Sequence, residues 1–509
     1  MNMKMIKLFS GCFIAMLMLY SCIDDKGNYD YIELKTVKIS NVFSNWSVPL
    51  GEEYVIKPII DYNGVDSSEF AYTWVSEIQE QWQDTISREK ELRYTFKEIA
   101  RYMTVLAVEH VPTGSLTTIQ IDLNTVSRYS TGWTILSERD GKSVLSYIRP
   151  GQEGEGKITY EIFPDIYTTL QGESLGTGPV RMGRHFSDES DQILVIQESG
   201  AVEVSGLDFS KAISTRKEFL GEKYPIGFEP RQAEYGSRLE AILGTDGNVY
   251  TRINPNGSFQ VCQYNDVPAI SNSKIDVMYY CAYLGYIYMY DKLNQRMIAI
   301  YDEPQLYTGD IIYVEMHPDS THLETFTPLD RMGEGTEVAF IGSFSVEGAA
   351  GRDFVQILKK GSEYYFQTYQ ASKRSGETKM FIFNGKEELF VGNGLVNENS
   401  KYCMDGSSYF YFTAGNVLYC WNRIDAPFPY YTFPAGSTIV DIERYANGDD
   451  REEMGVGLEN GEFYILDASY EAISGQKEKV LYKADGLGRI VDIQYKYGDS
   501  DTFNEESRL

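Results

Sequence analysis

Histidine is scarce in this chain, with four in 509 residues. His110 and His185 have no ligand pattern around them. His317 and His322 flank Pro318-Asp319-Ser320-Thr321 with Glu315 and Glu324 nearby, a loop spacing that is not HExxH. There is no CxxC, no GxSxG nucleophile elbow and no EF-hand loop, and Asn447-Gly448-Asp449-Asp450 reads as a solvated acidic turn. Gly455-Val456-Gly457 falls inside an expected strand with no helix after it, so it is not a dinucleotide fingerprint. No metal, cofactor or catalytic residue is expected. A glycosidase pair cannot be picked from 74 acids, so hydrolysis is left unassigned rather than excluded. Cations are also in deficit, 46 against those 74 acids for a net charge of −28, which argues against a nucleic-acid partner.

Long apolar runs are missing too. The longest lies near the N-terminus, from Leu8 to Tyr20 with Ser10 and Gly11 inside it, behind Lys4 and Lys7. That is too short to span a bilayer and reads as a secretory signal. It ends in Leu19-Tyr20-Ser21-Cys22, which resembles the lipobox of bacterial lipoproteins and implies cleavage before a lipidated Cys22. Residues 1–21 are thus the expected signal peptide and 22–33 the acylated cysteine with its linker. Cys262, Cys281, Cys403 and Cys420 fit disulfides or buried thiols equally well.

What is abundant is tyrosine, 40 residues, together with 45 glycines. Tyrosine favours strands and amphipathic surfaces, and the glycines supply turns. Residues 34–128 hold six alternating apolar segments separated by turn residues. That spacing reads as an immunoglobulin-like sandwich with Trp74 in its core. From 129 to 509 a strand–turn–strand pattern recurs seven times, with turns such as Asp140-Gly141, Asp246-Gly247 and Asn460-Gly461. A period of about 45–55 residues built on hairpins predicts a β-propeller, here with seven blades. The segment 489–495 echoes 438–444 and is expected to close the ring by pairing with the first hairpin, at 132–148. The expected fold class is all-β, a sandwich followed by a seven-bladed propeller.

Three features together, CIDDKGNYDY from Cys22, Tyr72-Thr73-Trp74, and Gly132-Trp133-Thr134-Ile135-Leu136-Ser137 before Asp140-Gly141-Lys142-Ser143, resemble the PKD-like family lipoproteins of Bacteroidota. The resemblance implies that Asp24 and Asp25 direct export to the outer face of the outer membrane. It also implies partnership with a TonB-dependent transporter of the starch-utilisation-system type and its companion surface lipoproteins, with an oligosaccharide or peptide as ligand. The membrane would be met through the lipid alone. The expected contact residues are Phe428, Tyr430, Tyr431 and Phe433, in a loop stiffened by Pro427, Pro429 and Pro434, and Trp82 on a polar stretch. A non-catalytic import accessory is the leading reading. A surface hydrolase or lyase on a propeller scaffold, or a structural adhesion protein, are the alternatives.

Overall fold

A computed structural model describes residues 34–42, 45–78, 81–82, 85–98, 100–153, 157–184, 192–236, 239–253, 263–281, 284–301, 311–318, 325–345, 352–371, 379–404, 409–446 and 451–497. The signal segment, Cys22, Asp24, Asp25, His185, Cys262, His322 and the 447–450 turn lie outside them. The fold is all-β, with two compact units, one built on Val55–Tyr94 and Tyr102–Asp122 and the other on the described residues from Leu123 onward. No helix among the described residues is long and apolar enough to cross a membrane.

In the first unit, Phe70–Ile78 pairs antiparallel with Arg101–His110, from Phe70↔His110 to Ile78↔Tyr102. Alternation along Arg101–His110 buries every second side chain, as expected of a strand with one face on a core. Trp74 is fully buried and its indole N–H donates to the Glu89 carbonyl at 3.0 Å, which satisfies the one polar atom that burial would otherwise strand. His110 is held between Glu69, 3.0 Å, and Thr113, 2.7 Å, a structural role.

The second unit is a succession of antiparallel meanders. The first sheet combines Gly132–Arg139, Lys142–Glu153 and Lys157–Phe163 with the C-terminal strand Arg489–Lys496, which pairs with Gly132–Arg139 from Gly132↔Lys496 to Glu138↔Arg489. Residues 490 to 496 thus return to a strand more than 350 positions earlier, as expected (Thr134 to the Gln494 carbonyl alone spans 360). The second sheet contains Pro179–Arg184, Ile193–Gln197, Val202–Val204 and Lys211–Ser214, and the third Pro230–Tyr235, Leu239–Gly244 and Val249–Ile253. Two further four-stranded sheets are Tyr402–Met404 to Phe428–Thr432 and Ile439–Ala446 to Val480–Ala484.

Between them the hairpin pattern leads to a different grouping. Ile275–Cys281, Tyr286–Asp291, Arg296–Tyr301 and Ile311–Met316 form one meander, and Thr336–Ser345, Arg352–Lys360, Glu363–Ala371 and Lys379–Leu389 another. Their last strands pair with each other in parallel, so the two meanders make one eight-stranded sheet. Pairing two outer edges removes both as sites for stray strand addition.

The tight turns follow from their residues. Asp140 and Gly141 both sit at positive φ, 52° and 73°, in the two-residue loop that closes Arg139↔Lys142. First strands of successive meanders pack side by side, and Ile439–Ala446 packs on Arg489–Lys496. Gly455 lies so close to Trp133 that a Cβ there would stand 2.4 Å from the indole ring.

Candidate functional site

The aromatic segment expected as a contact loop is instead the outer strand Phe428–Thr432, paired with Val417–Trp421. Tyr430 and Phe433 are each 2% exposed and belong to a core cluster with Tyr411, Ile439 and Leu466, so burial removes them as contact residues. The Tyr430 hydroxyl donates to the Asp467 carbonyl, and the Lys479 ammonium donates to the Tyr430 carbonyl at 2.7 Å. Tyr431 is half-buried with its ring edge-on to Phe433 at 4.8 Å, and Phe428 is the member of the four that faces solvent. Trp82 lies on the short strand Gln81–Trp82, and its side chain is outside the described part. Cys281, Cys403 and Cys420 are thiols rather than disulfides, and burial pushes the Cys403 thiol up to about 12.

A different place offers a concave surface. Ile311–Met316 pairs with Arg296–Tyr301 only through Ile300↔Ile311, Ala299↔Ile312 and Ile298↔Tyr313. From Tyr313 onward it swings to Lys379–Leu389, with Tyr313↔Lys379 through Met316↔Ile382 in register and the His317 N–H donating to the Ile382 carbonyl at 3.0 Å. The vacated backbone of the partner strand is satisfied by a loop instead. Met297 N–H donates to the Leu329 carbonyl, and Met332 N–H to the Gln295 carbonyl, both at 2.7 Å.

The divergence opens a cleft of about 550 Å³ lined by Arg296, Met297, residues 313–318, Asp330 and Arg331. Its charges lie in ion pairs. Arg296 lies 3.4 Å from Asp291, Arg331 3.0 Å from Asp330, and Lys379, beside the cleft, 2.7 Å from Glu315. Burial alone would raise the Asp291 carboxyl. Hydrogen bonds from the Asn294 side chain, the Lys274 N–H and Ser273 outweigh it and hold the group below the usual carboxylate range. Arg296 therefore rests on a permanent anion. Its guanidinium also sits 5.1 Å from the centre of the Tyr313 ring, and Tyr313 remains 46% exposed. The His317 ring stacks on Phe383 at 4.5 Å and meets Phe381 edge-on at 5.4 Å, which places it on an aromatic platform.

A second polar arrangement runs along the packed first strands. Five of them carry a bulge near their start, at Pro179/Arg181, Pro230/Gln232, Ile275/Val277, Val338/Phe340 and Ile439/Asp441, and Arg489–Lys496 has the equivalent irregularity opposite Leu136/Ser137. Residues just past the bulges reach the next first strand. Asp441 and Glu443 accept from the Ile493 and Tyr495 N–H groups, both at 3.2 Å. Asp492 accepts from Met182 N–H at 2.7 Å, and Gln494 donates to the Met182 carbonyl at 3.2 Å. Gln232 both donates to and accepts from the Met278 backbone, 2.7 and 3.2 Å, and Glu234 accepts from Tyr280 N–H at 3.3 Å. First strands that pack without a backbone ladder would strand these groups, and side chains two apart take its place. Asp492 and Asp441 adjoin. Burial and the Asp441 charge push the Asp492 carboxyl well above its ordinary range, against the pull of Arg181 and the Met182 N–H.

The PKD-like family pattern matches residues 22–179, which takes in the first unit and runs through the first hairpin at 132–153. No curated protein matches the chain. Among solved structures, a quinonprotein alcohol dehydrogenase-like protein from Bacteroides thetaiotaomicron is 12% identical, covering 92% of this chain and 100% of its own, with a TM-score of 0.41. A Bacteroides fragilis protein named by inference as a 6-phosphogluconolactonase is 8% identical, covering 72% and 98%, with a TM-score of 0.44. Likeness at that level carries no argument about activity or sheet number.

Proposed function

We propose that this chain is a non-catalytic binding component of a TonB-dependent nutrient importer, tethered to the outer membrane by lipid on Cys22 and facing the cell exterior. In this reading the successive meanders are the blades of a seven-bladed propeller, the eight-stranded sheet supplying two of them. The transporter and its companion surface lipoproteins are its partners, and an oligosaccharide or peptide is its ligand. The observation that carries the reading is the open cleft beside Tyr313, whose polar walls suit reversible capture of a hydrated solute. The lipobox sequence and the acidic Asp24-Asp25 pair support the location.

The test is twofold. Protease added to intact cells should digest the protein, and replacing Asp24 and Asp25 by Ala should reduce that digestion. Affinity purification from detergent-solubilised outer membranes should bring down a transporter. Full protection in intact cells, or purification with no outer-membrane partner, contradicts the proposal. A second reading, a surface hydrolase or lyase, draws on the adjoining Asp441 and Asp492, where burial and the neighbouring Asp441 charge raise the Asp492 carboxyl well above its ordinary range. Turnover of a glycan or peptide library, lost in Asp492→Asn, would favour it.

A further inference from the structure

The cleft at the diverging strand separates the two ligand classes left open above, and it does so by charge balance. Each cation at its wall has its own carboxylate: Arg296 with Asp291, Arg331 with Asp330, Lys379 with Glu315. Among the described residues, an anionic ligand would find each guanidinium beside a carboxylate, and a cationic one each of these carboxylates beside a cation. What the pairs do provide is a set of hydrogen-bond donors and acceptors at the cleft wall, with Arg296 restrained by the buried Asp291. Beside them lies one half-exposed aromatic ring, Tyr313, backed by a guanidinium that polarises its face.

We infer that this cleft binds a neutral, hydroxyl-rich oligosaccharide, with a sugar ring against Tyr313 and its hydroxyls on Arg296, Arg331, Asp330 and Glu315. The inference rests on the binding-component reading and gives it a ligand class. Vicinal hydroxyls pair bidentately with planar guanidinium and carboxylate groups, and the C–H face of a pyranose stacks on an aromatic ring. A peptide would instead add as a strand along the side of residues 314–316 that Arg296–Tyr301 has left, and the casein digest tests that alternative.

The experiment is calorimetric titration of the full mature chain in detergent with neutral gluco-, xylo-, manno- and galacto-hexasaccharides, an oligogalacturonate and a casein digest. At least one neutral sugar should bind, and Tyr313→Ala should weaken it by about tenfold or more, the loss of one well-packed aromatic contact. Tyr313→Phe keeps the stacking face and should stay within about threefold, and Tyr470→Ala, an exposed tyrosine 66% open on a different meander, should leave affinity unchanged. Thermal melting of each variant establishes that it is folded. Absence of binding by every neutral sugar overturns the inference, as does equal binding by Tyr313→Ala. Binding of only the peptides or the oligogalacturonate, lost in Tyr313→Ala, also overturns the sugar class while leaving the binding-component reading intact. Failure of the transporter purification, by contrast, strikes the proposed function and not the sugar.

Discussion

Two places in the second unit solve the same problem, the fate of a sheet edge, in opposite ways. Where the C-terminal strand meets the first sheet, the contact centres on a buried network. The Trp133 indole donates to Glu453 at 2.9 Å, Tyr160 donates to the same carboxylate at 2.6 Å, and the Arg451 guanidinium completes its shell and donates to the Tyr495 hydroxyl at 3.1 Å. Trp133, Phe463, Ile490 and Tyr495 pack around this network with no exposure above 1%. Where Ile311–Met316 changes partners, the edges are also paired, but the strand leaves its neighbour early and a polar cleft remains. The lesson is that edge pairing by itself does not exclude solvent. A gapless interface needs the glycine-against-tryptophan fit at Gly455, and a strand that forks cannot supply it.

That contrast can be broken first at the closed seam. Trp133→Ala should cost about 3–5 kcal/mol, the range for deleting a large buried aromatic, and denaturant unfolding measures it. A loss below about 1 kcal/mol would mean that the seam is not part of the cooperative core. Glu453→Gln should cost less, on the order of 1–3 kcal/mol, because an acceptor for Trp133 survives while the charge opposite Arg451 does not.

The Asp441–Asp492 contact sharpens the comparison through pH. A carboxyl whose folded pKa is raised binds more protons folded than unfolded. Its stabilising contribution is present below the ordinary carboxylate pKa and is lost as pH rises through the folded value. Asp492→Asn, which can still accept from Met182 N–H, should therefore melt higher than the parent at pH 8 and close to it near pH 4. An unchanged difference across that span would show that Asp492 is ionised in the folded chain. The smallest effect belongs to the fork. Tyr313→Ala should shift stability by no more than about 0.5 kcal/mol, as at an exposed site, whatever it does to binding.

Much of this architecture could be read from residue order. Hairpins pinned by Asp140-Gly141 and by Asn460-Gly461 form where local turn chemistry predicts them, because loops of two and three residues need few outside contacts to choose their shape. The echo between 438–444 and 489–495 pointed to the closing strand, and Trp74 to the core of the first unit. Residues 427–434 misled because three prolines argue against strand. Pro429 nevertheless lies opposite Tyr419 on the outermost strand of its sheet, where a missing N–H donor is tolerated. The fork left no local trace at all. Whether Ile311–Met316 stays with Arg296–Tyr301 or joins Lys379–Leu389 is decided by contacts some 70 residues away. A usable sign did exist for the stitched first strands: polar side chains two apart, Gln232/Glu234, Asp441/Glu443 and Asp492/Gln494, in otherwise apolar segments.

Amide hydrogen exchange read by mass spectrometry, with and without a saturating neutral oligosaccharide, tests the contrast most directly. Gly132–Arg139, Glu452–Leu458 and Arg489–Lys496 should be protected at the level of global unfolding and show no response to sugar. Peptides covering 313–318 and 329–332 should exchange faster and slow on ligand addition. Seam strands exchanging as fast as the fork, or a bound sugar that leaves 313–318 unchanged, would contradict that contrast.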